Sequence, residues 1–213
     1  MSTPSETKRS RGLKRSKQTE EKPVKSGIDS RYLLYGGGGL LLLALVVFLV
    51  LQLGSPLPGE ALPDLGNLHV EPGAPHAPYN SNPPTSGPHF GNLANWGEHS
   101  ESIADELQIH NLEDGGVIVH YNCPESCPDL VEQLREAIGQ AFGGSFEEAQ
   151  RRSALDVRDP QASHWILVPR PDMDTQIALT AWTRIDKLDA FDQERIVTFL
   201  RQFEGIDHHT GVE

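Results

Sequence analysis

The sequence predicts an α/β (α+β) domain, a small mixed sheet with helices packed on it, carried behind one N-terminal transmembrane helix. Three observations predict it. Apolar runs of strand length stand at 116–121, 164–169 and 176–183, and apolar residues recur at helical spacing over 128–142 and 189–203. Ahead of them, the 21 residues from Leu33 to Leu53 carry no ionisable group beyond the Tyr35 phenol.

That run makes about 31 Å of helix at 1.5 Å per residue, matching the hydrocarbon core of a bilayer. It is longer than the apolar part of a cleaved signal peptide, and no small-residue cleavage pattern ends it. We read residues 32–53 as an uncleaved anchor. The run Gly36 to Gly39 lowers helix propensity, but unmade backbone hydrogen bonds in lipid still enforce the helix. Residues 1–31 hold nine Lys/Arg, from Lys8 to Arg31, against four Asp/Glu, and are poor in apolar periodicity. Basic flanks stay cytoplasmic, so this segment is expected as a disordered cytoplasmic tail, with everything after the span outside.

The net charge of −12 hides two opposed parts, because the rest of the chain holds 9 of the 18 basic and 26 of the 30 acidic residues. A domain that negative repels phosphate backbones, which argues against nucleic acid as a partner. Pro56, Pro58, Pro63, Pro72 and Pro75 mark 54–75 as a semi-extended linker. The segment YNSNPPTSGPHFGNLANWG, 79–97, has too many turn residues for a regular element, yet its aromatic residues favour an ordered loop packed on the domain. GVIVHY (116–121) then reads as a buried strand, with Leu130, Leu134, Ala137, Ile138 and Ala141 as the inner face of a helix opened by Pro128. HWILVP (164–169) and QIALTAWT (176–183) are two further strands, and Phe191, Ile196, Phe199, Leu200 and Phe203 line the last helix. Only one connection between strands contains a helix, hence a mixed sheet. Residues 207–213, with His208 and His209, read as a solvated tail.

Nine histidines are many for 213 residues, and outside the cytoplasm imidazole serves first as a metal ligand. Four groups carry candidate chemistry. His76 and Tyr79 precede PPTSGPH, whose prolines would fix His89 in a rigid loop; equally, His89 could simply bond a turn. His110, Glu113 and Asp114 fall within five residues before the first strand and could converge on one ion or cap a turn. Cys123 and Cys127 sit where strand passes to helix, as a plain local disulfide, a redox pair or a soft-metal pair. Met173, in the loop 169–174, suits copper(I), or packs over the sheet edge.

YNSNPPTSGPH (79–89), HNLEDGGVIVHYN (110–122) and MDTQIALTAWTRIDKLDAFDQERIVTFL (173–200) resemble segments of the bacterial domain of unknown function 3105, a membrane-anchored, uncharacterised family. The resemblance spans about 76–206 and implies a domain boundary but no reaction. It implies His76, Tyr79, His89, His110, Glu113 and Met173 as the site, and a C-terminal domain on the periplasmic side of a bacterial cytoplasmic (inner) membrane. The family usually has a second histidine where this chain has Asp114, a harder donor that moves the choice from copper(I) toward zinc or copper(II). The cysteine pair is similar to the C-x-x-x-C of copper chaperones for cytochrome oxidase. The expected function is metal binding, in copper or zinc handling, with His76, His89, His110, Glu113, Asp114 and Met173 as ligands. A non-catalytic interaction domain and a thiol oxidoreductase using Cys123 and Cys127 are the alternatives. No nucleophile elbow, phosphate loop or HExxH supports a hydrolase.

Overall fold

The structure, a computed structural model, describes residues 39, 41–48 and 57–209. The tail 1–31 and most of the expected span 32–53 lie outside the described residues. Residues 41–48 are helical (α1), and no helix among the described residues is long and apolar enough to cross a membrane.

From residue 57 the chain forms an α+β unit. Its elements are β1 (Glu60–Ala61), β2 (Gly97–Glu98), α2 (Asp105–Glu113), β3 (Val117–Tyr121), α3 (Pro128–Phe142), α4 (Phe146–Ser153), β4 (Trp165–Pro169), β5 (Ile177–Ala181), β6 (Arg184–Leu188) and α5 (Gln193–Phe203). They build one mixed sheet of order β1-β6-β5-β3-β4-β2. β3 runs parallel to β4 and antiparallel to β5, with Tyr121 opposite Pro169 at one end and opposite Ile177 at the other edge.

β3 explains why the sheet is covered on both faces. Its side chains alternate, and both sets are buried, Val117 and Val119 on one face and Ile118 and His120 on the other. Val117 and Val119 join Leu134, Ile138, Trp165, Phe199 and Leu200 under α3, α4 and α5. Ile118 turns the other way, with Ile166 and Val168, against Ile109 and Leu112 of α2 and Trp182. Each such large side chain, fully buried, contributes roughly 1.5–3 kcal/mol. α3 starts at Pro128 in its first turn and ends at Gly143, and α5 is capped by Asp192, whose carboxylate accepts from the Arg195 amide.

The three predicted strands and two predicted helices are all present, with the last helix starting at Gln193 rather than Asp189. β1, β2, α2, α4 and β6 are additional. The sequence RIDKL of β6 masks its strand because Asp186, 4% exposed, is buried as the ion-pair partner of Arg195. The stretch expected as a spacer also differs. From residue 57 it lies along the sheet: β1 pairs with β6, the Leu62 amide donates to Thr183 O (2.9 Å), and Gly87 donates to Gly66 O (2.9 Å). Among the residues between its prolines, the amides of Leu62, Leu65 and Val70 donate to Thr183 O, Ser86 Oγ and His89 O.

Candidate metal centre

α2 is the platform of the site. Unlike α3 and α5 it buries polar side chains, Gln108, His110, Asn111 and Glu113 among them. His110 and Glu113 are three apart and so share one face, and Asp114 follows at the helix end. The chain then turns sharply into β3 through Gly115, whose φ is +81° and where a Cβ would meet the Ile206 backbone at 2.9 Å.

Three further segments are bonded onto this platform. Asn111 clasps the loop before β2, accepting from the Ala94 amide (2.9 Å) and donating to Ala94 O (3.0 Å). Within that loop Tyr79 Oη donates to Pro88 O (2.7 Å), and residues 83–87 are buried, which makes it the ordered loop expected. The segment through Leu68–Val70 pairs with it by a His69–His89 bridge, with Val70 N to His89 O at 2.7 Å and His89 N to Leu68 O at 3.0 Å. The tail after α5 crosses the end of α2, with Gly205 N to Gly115 O (2.8 Å) and His208 N to Glu113 O (2.9 Å). His208 lies stacked on Trp182.

These bonds bring His69, His89, His110 and Glu113 together, with one donor atom of each within 4.8 Å of every other; His110, Asp114 and His209 form an adjoining group to the same limit. His89 and Glu113 are 0% and 1% exposed, a buried base against a buried acid. Asn67 Nδ2 donates to Glu113 Oε1 (2.8 Å), and this turns Oε2 to the centre. There Oε2 is 2.9 Å from His89 Nε2, 3.8 Å from His69 Nε2 and 3.6 Å from His209 Nε2. Neighbouring donors around one tetrahedral ion bound at about 2.1 Å stand about 3.4 Å apart, so these spacings bracket the required value.

Proton placement follows from the partners. His89 Nδ1 faces Gly87 O at 2.8 Å and His110 Nδ1 faces Phe90 O at 2.7 Å; a carbonyl oxygen only accepts, so each Nδ1 carries the hydrogen. His209 Nδ1 is held by Asp207 Oδ1 at 2.8 Å in the same way. In the neutral rings Nε2 is then a bare lone pair, and in His89 it faces a carboxylate oxygen. Two acceptors at that distance repel unless a cation or a proton lies between them. Burial pushes the His89 imidazole below its ordinary value, against the raising effect of Gly87 O and Glu113. Burial pushes Asp114 up, and the Asp207 hydrogen bond raises His209. Nδ1 tied to an oxygen with Nε2 turned inward is the way metal-binding histidines are oriented, and the donor set of imidazole and carboxylate suits zinc or copper(II).

Of the residues expected from sequence, His89, His110, Glu113 and Asp114 meet here. His76 does not join them. Its Nε2 contacts Glu106 Oε1 at 3.3 Å in the first turn of α2, about 10 Å of helix away from Glu113, and its ring rests on Tyr79. A bond to Ala77 O and the Glu106 carboxylate raise its pKa. Met173 is buried at the opposite end of β3, where its carbonyl accepts from Asn122 Nδ2 (2.8 Å). A five-residue strand, about 16 Å, separates that end from α2. Cys123 and Cys127 lie at that far end too, joined as a disulfide.

His69 and His209 are the residues that sequence reasoning missed. His69 stands between Leu68 and Val70 inside the Pro-rich stretch, and an alternating apolar–His–apolar triplet is the one local sign that it lies on an extended, half-buried segment. His209 has no local sign, since the fold of the tail across α2 brings it in.

No curated protein and no solved structure matches the chain. A family model described as protein of unknown function (DUF3105) matches residues 69–211, a span that takes in both overlooked histidines, and the chain belongs to that family.

Proposed function

We propose that this is a membrane-anchored, extracytoplasmic metal-binding protein, serving zinc or copper(II) handling through His69, His89, His110 and Glu113, with Asp114 and His209 beside them. The observation that carries the reading is the set of Nδ1 atoms of His89, His110 and His209 held by oxygen acceptors, which leaves the Nε2 lone pairs of His89 and His209 on one buried Glu113 oxygen and that of His110 beside Asp114, 3.8 Å away. With no sulfur donor in the group, copper(I) loses the support that Met173 gave it. Four protein donors fill a tetrahedral shell, whereas a catalytic zinc keeps an open position, so binding is favoured over hydrolysis. The apolar run 33–53 and its basic flank support the anchor and the outward orientation.

The test is elemental analysis of the full chain, extracted from membranes in detergent. Near-stoichiometric zinc or copper, lost in His89→Ala and in His110→Ala, is expected. Absence of metal, together with no binding of zinc or copper(II) tighter than micromolar, would overturn the reading.

A further inference from the structure

The disulfide stands apart from the metal centre, and the proposed function leaves it without a role. Cys123 follows β3, and Cys127 is the residue that caps the amino end of α3, a helix of 15 residues. Both cysteines line a cleft of about 480 Å³ with Tyr121, Val131, Arg135 and Pro169. Tyr121 and Pro169 are register partners at the carboxyl ends of the parallel pair β3 and β4. β3 is also where the sheet changes direction, with β4 parallel on one side and β5 antiparallel on the other. The carboxyl ends of parallel strands are where open α/β sheets commonly receive ligands.

Two features argue against a mere staple. The cysteines are four residues apart, and a loop that short gains the least from closure. α3 is held to the sheet by Leu130, Leu134, Ala137 and Ile138 whatever the state of the sulfurs. Both cysteines are also only partly buried, so the bond is within reach from the cleft.

We propose that Cys123–Cys127 is a redox-active disulfide that exchanges with a dithiol of a protein docking in this cleft. One partner thiolate attacks Cys123 Sγ, the disulfide breaks, and the electron pair leaves on Cys127 Sγ. The partner's second thiolate then attacks its own sulfur in the mixed disulfide and expels the Cys123 thiolate. The partner ends as a disulfide, and its two protons end on Cys123 and Cys127. Attack falls on Cys123 because Cys127 is the better leaving group. Its side chain makes no cap bond in the disulfide, so as a thiolate it can take the amide donors of the first turn of α3, at the positive end of the helix. The charges around the cleft add nothing to this: Arg135 is paired with Glu98 (2.7 Å) and Glu132 (3.1 Å), and Glu101 and Glu125 line the cleft beside it, so the helix end is what favours the thiolate.

The experiment uses the full wild-type chain in detergent, reduced with dithiothreitol and then exposed to iodoacetamide at pH 6, with each cysteine followed by peptide mass mapping. A Cys127 thiolate held by the helix end is expected to be alkylated about sixfold faster than free cysteine, the gain in thiolate fraction less the loss of nucleophilicity. In parallel, dithiothreitol must reduce the pair while the near-ultraviolet circular dichroism keeps its native form, and Cys127→Ser must accumulate a glutathione mixed disulfide on Cys123. Alkylation of Cys127 no faster than free cysteine, or reduction only once the fold is lost, would overturn the proposal.

Discussion

Replacing Glu113 by glutamine separates a metal ligand from a structural hydrogen-bond partner, because the two roles predict opposite changes. Asn67 Nδ2 donates to Glu113 Oε1, which fixes the glutamine carbonyl at that position and places its NH2 where Oε2 was, 2.9 Å from the His89 Nε2 lone pair. A repulsive pair of acceptors becomes a donor and an acceptor. Without metal, Glu113→Gln is therefore expected to gain about 1 kcal/mol, the net worth of an ordinary hydrogen bond. With metal the sign reverses, since an amide oxygen directed at Asn67 leaves no anionic donor at the centre. Zinc at about 100 times its dissociation constant stabilises the wild type by about 2.7 kcal/mol, or roughly 5–11 °C for a chain of this size. The variant should show little of that shift. The assay is thermal unfolding of the full chain in detergent, chelated and then zinc-loaded, followed by near-ultraviolet circular dichroism. A variant less stable than wild type by the same amount in both conditions would refute the reasoning, because Glu113 would then be holding the loop rather than an ion.

Three other predictions test separate parts of the fold. His120 is buried in mid-sheet, with Nε2 on Thr180 Oγ1 at 3.0 Å, and burial followed by the Arg170 charge holds its pKa well below 6.5. The unfolded chain takes up a proton near pH 6.5 that the folded one refuses, so stability is lost as pH falls below that value. Urea unfolding of the chelated protein should lose about 1 kcal/mol through this residue between pH 7.5 and 5.5, and His120→Asn should lose correspondingly less. Gly115→Ala puts a Cβ against the Ile206 backbone at 2.9 Å and strains a left-handed position; a loss of about 1–2 kcal/mol and weaker zinc affinity, measured by calorimetry, are expected as the tail carrying His209 is displaced. Reducing Cys123–Cys127 should cost only about 2 kcal/mol in urea, the closure entropy of so short a loop.

The core of the domain was readable because its apolar pattern is local. Val117 to Tyr121, Pro128 to Phe142 and Ile177 to Ala181 each announce their element within a few residues of chain. α2 was hidden for the opposite reason: the face it turns inward bears Gln108, His110, Asn111 and Glu113, so the continuous apolar stripe that marks a helix is missing. Four of the six side chains of the candidate group were visible, as the close-set His110, Glu113 and Asp114 after the rigid loop of His89. The other two, His69 and His209, depend on contacts between segments far apart in sequence, and Met173, plausible by chemistry alone, ends up across the length of β3 because the loop before β5 lies at the far end of the strands.

The passage of the chain after α5 over the end of α2 has a mechanical consequence. His69 lies near the start of the fold and His209 beyond its last helix, about 140 residues further on, and both turn Nε2 toward Glu113 Oε2. An ion held by His69, His89, His110 and Glu113, with His209 closing over it from the adjoining group, would act as a clasp joining the two ends of the domain across a long loop that is costly to form unaided. Loading would then guard the two outermost segments against peeling and proteolysis before it altered anything in the central strands, and release of the ion would begin with the tail lifting away.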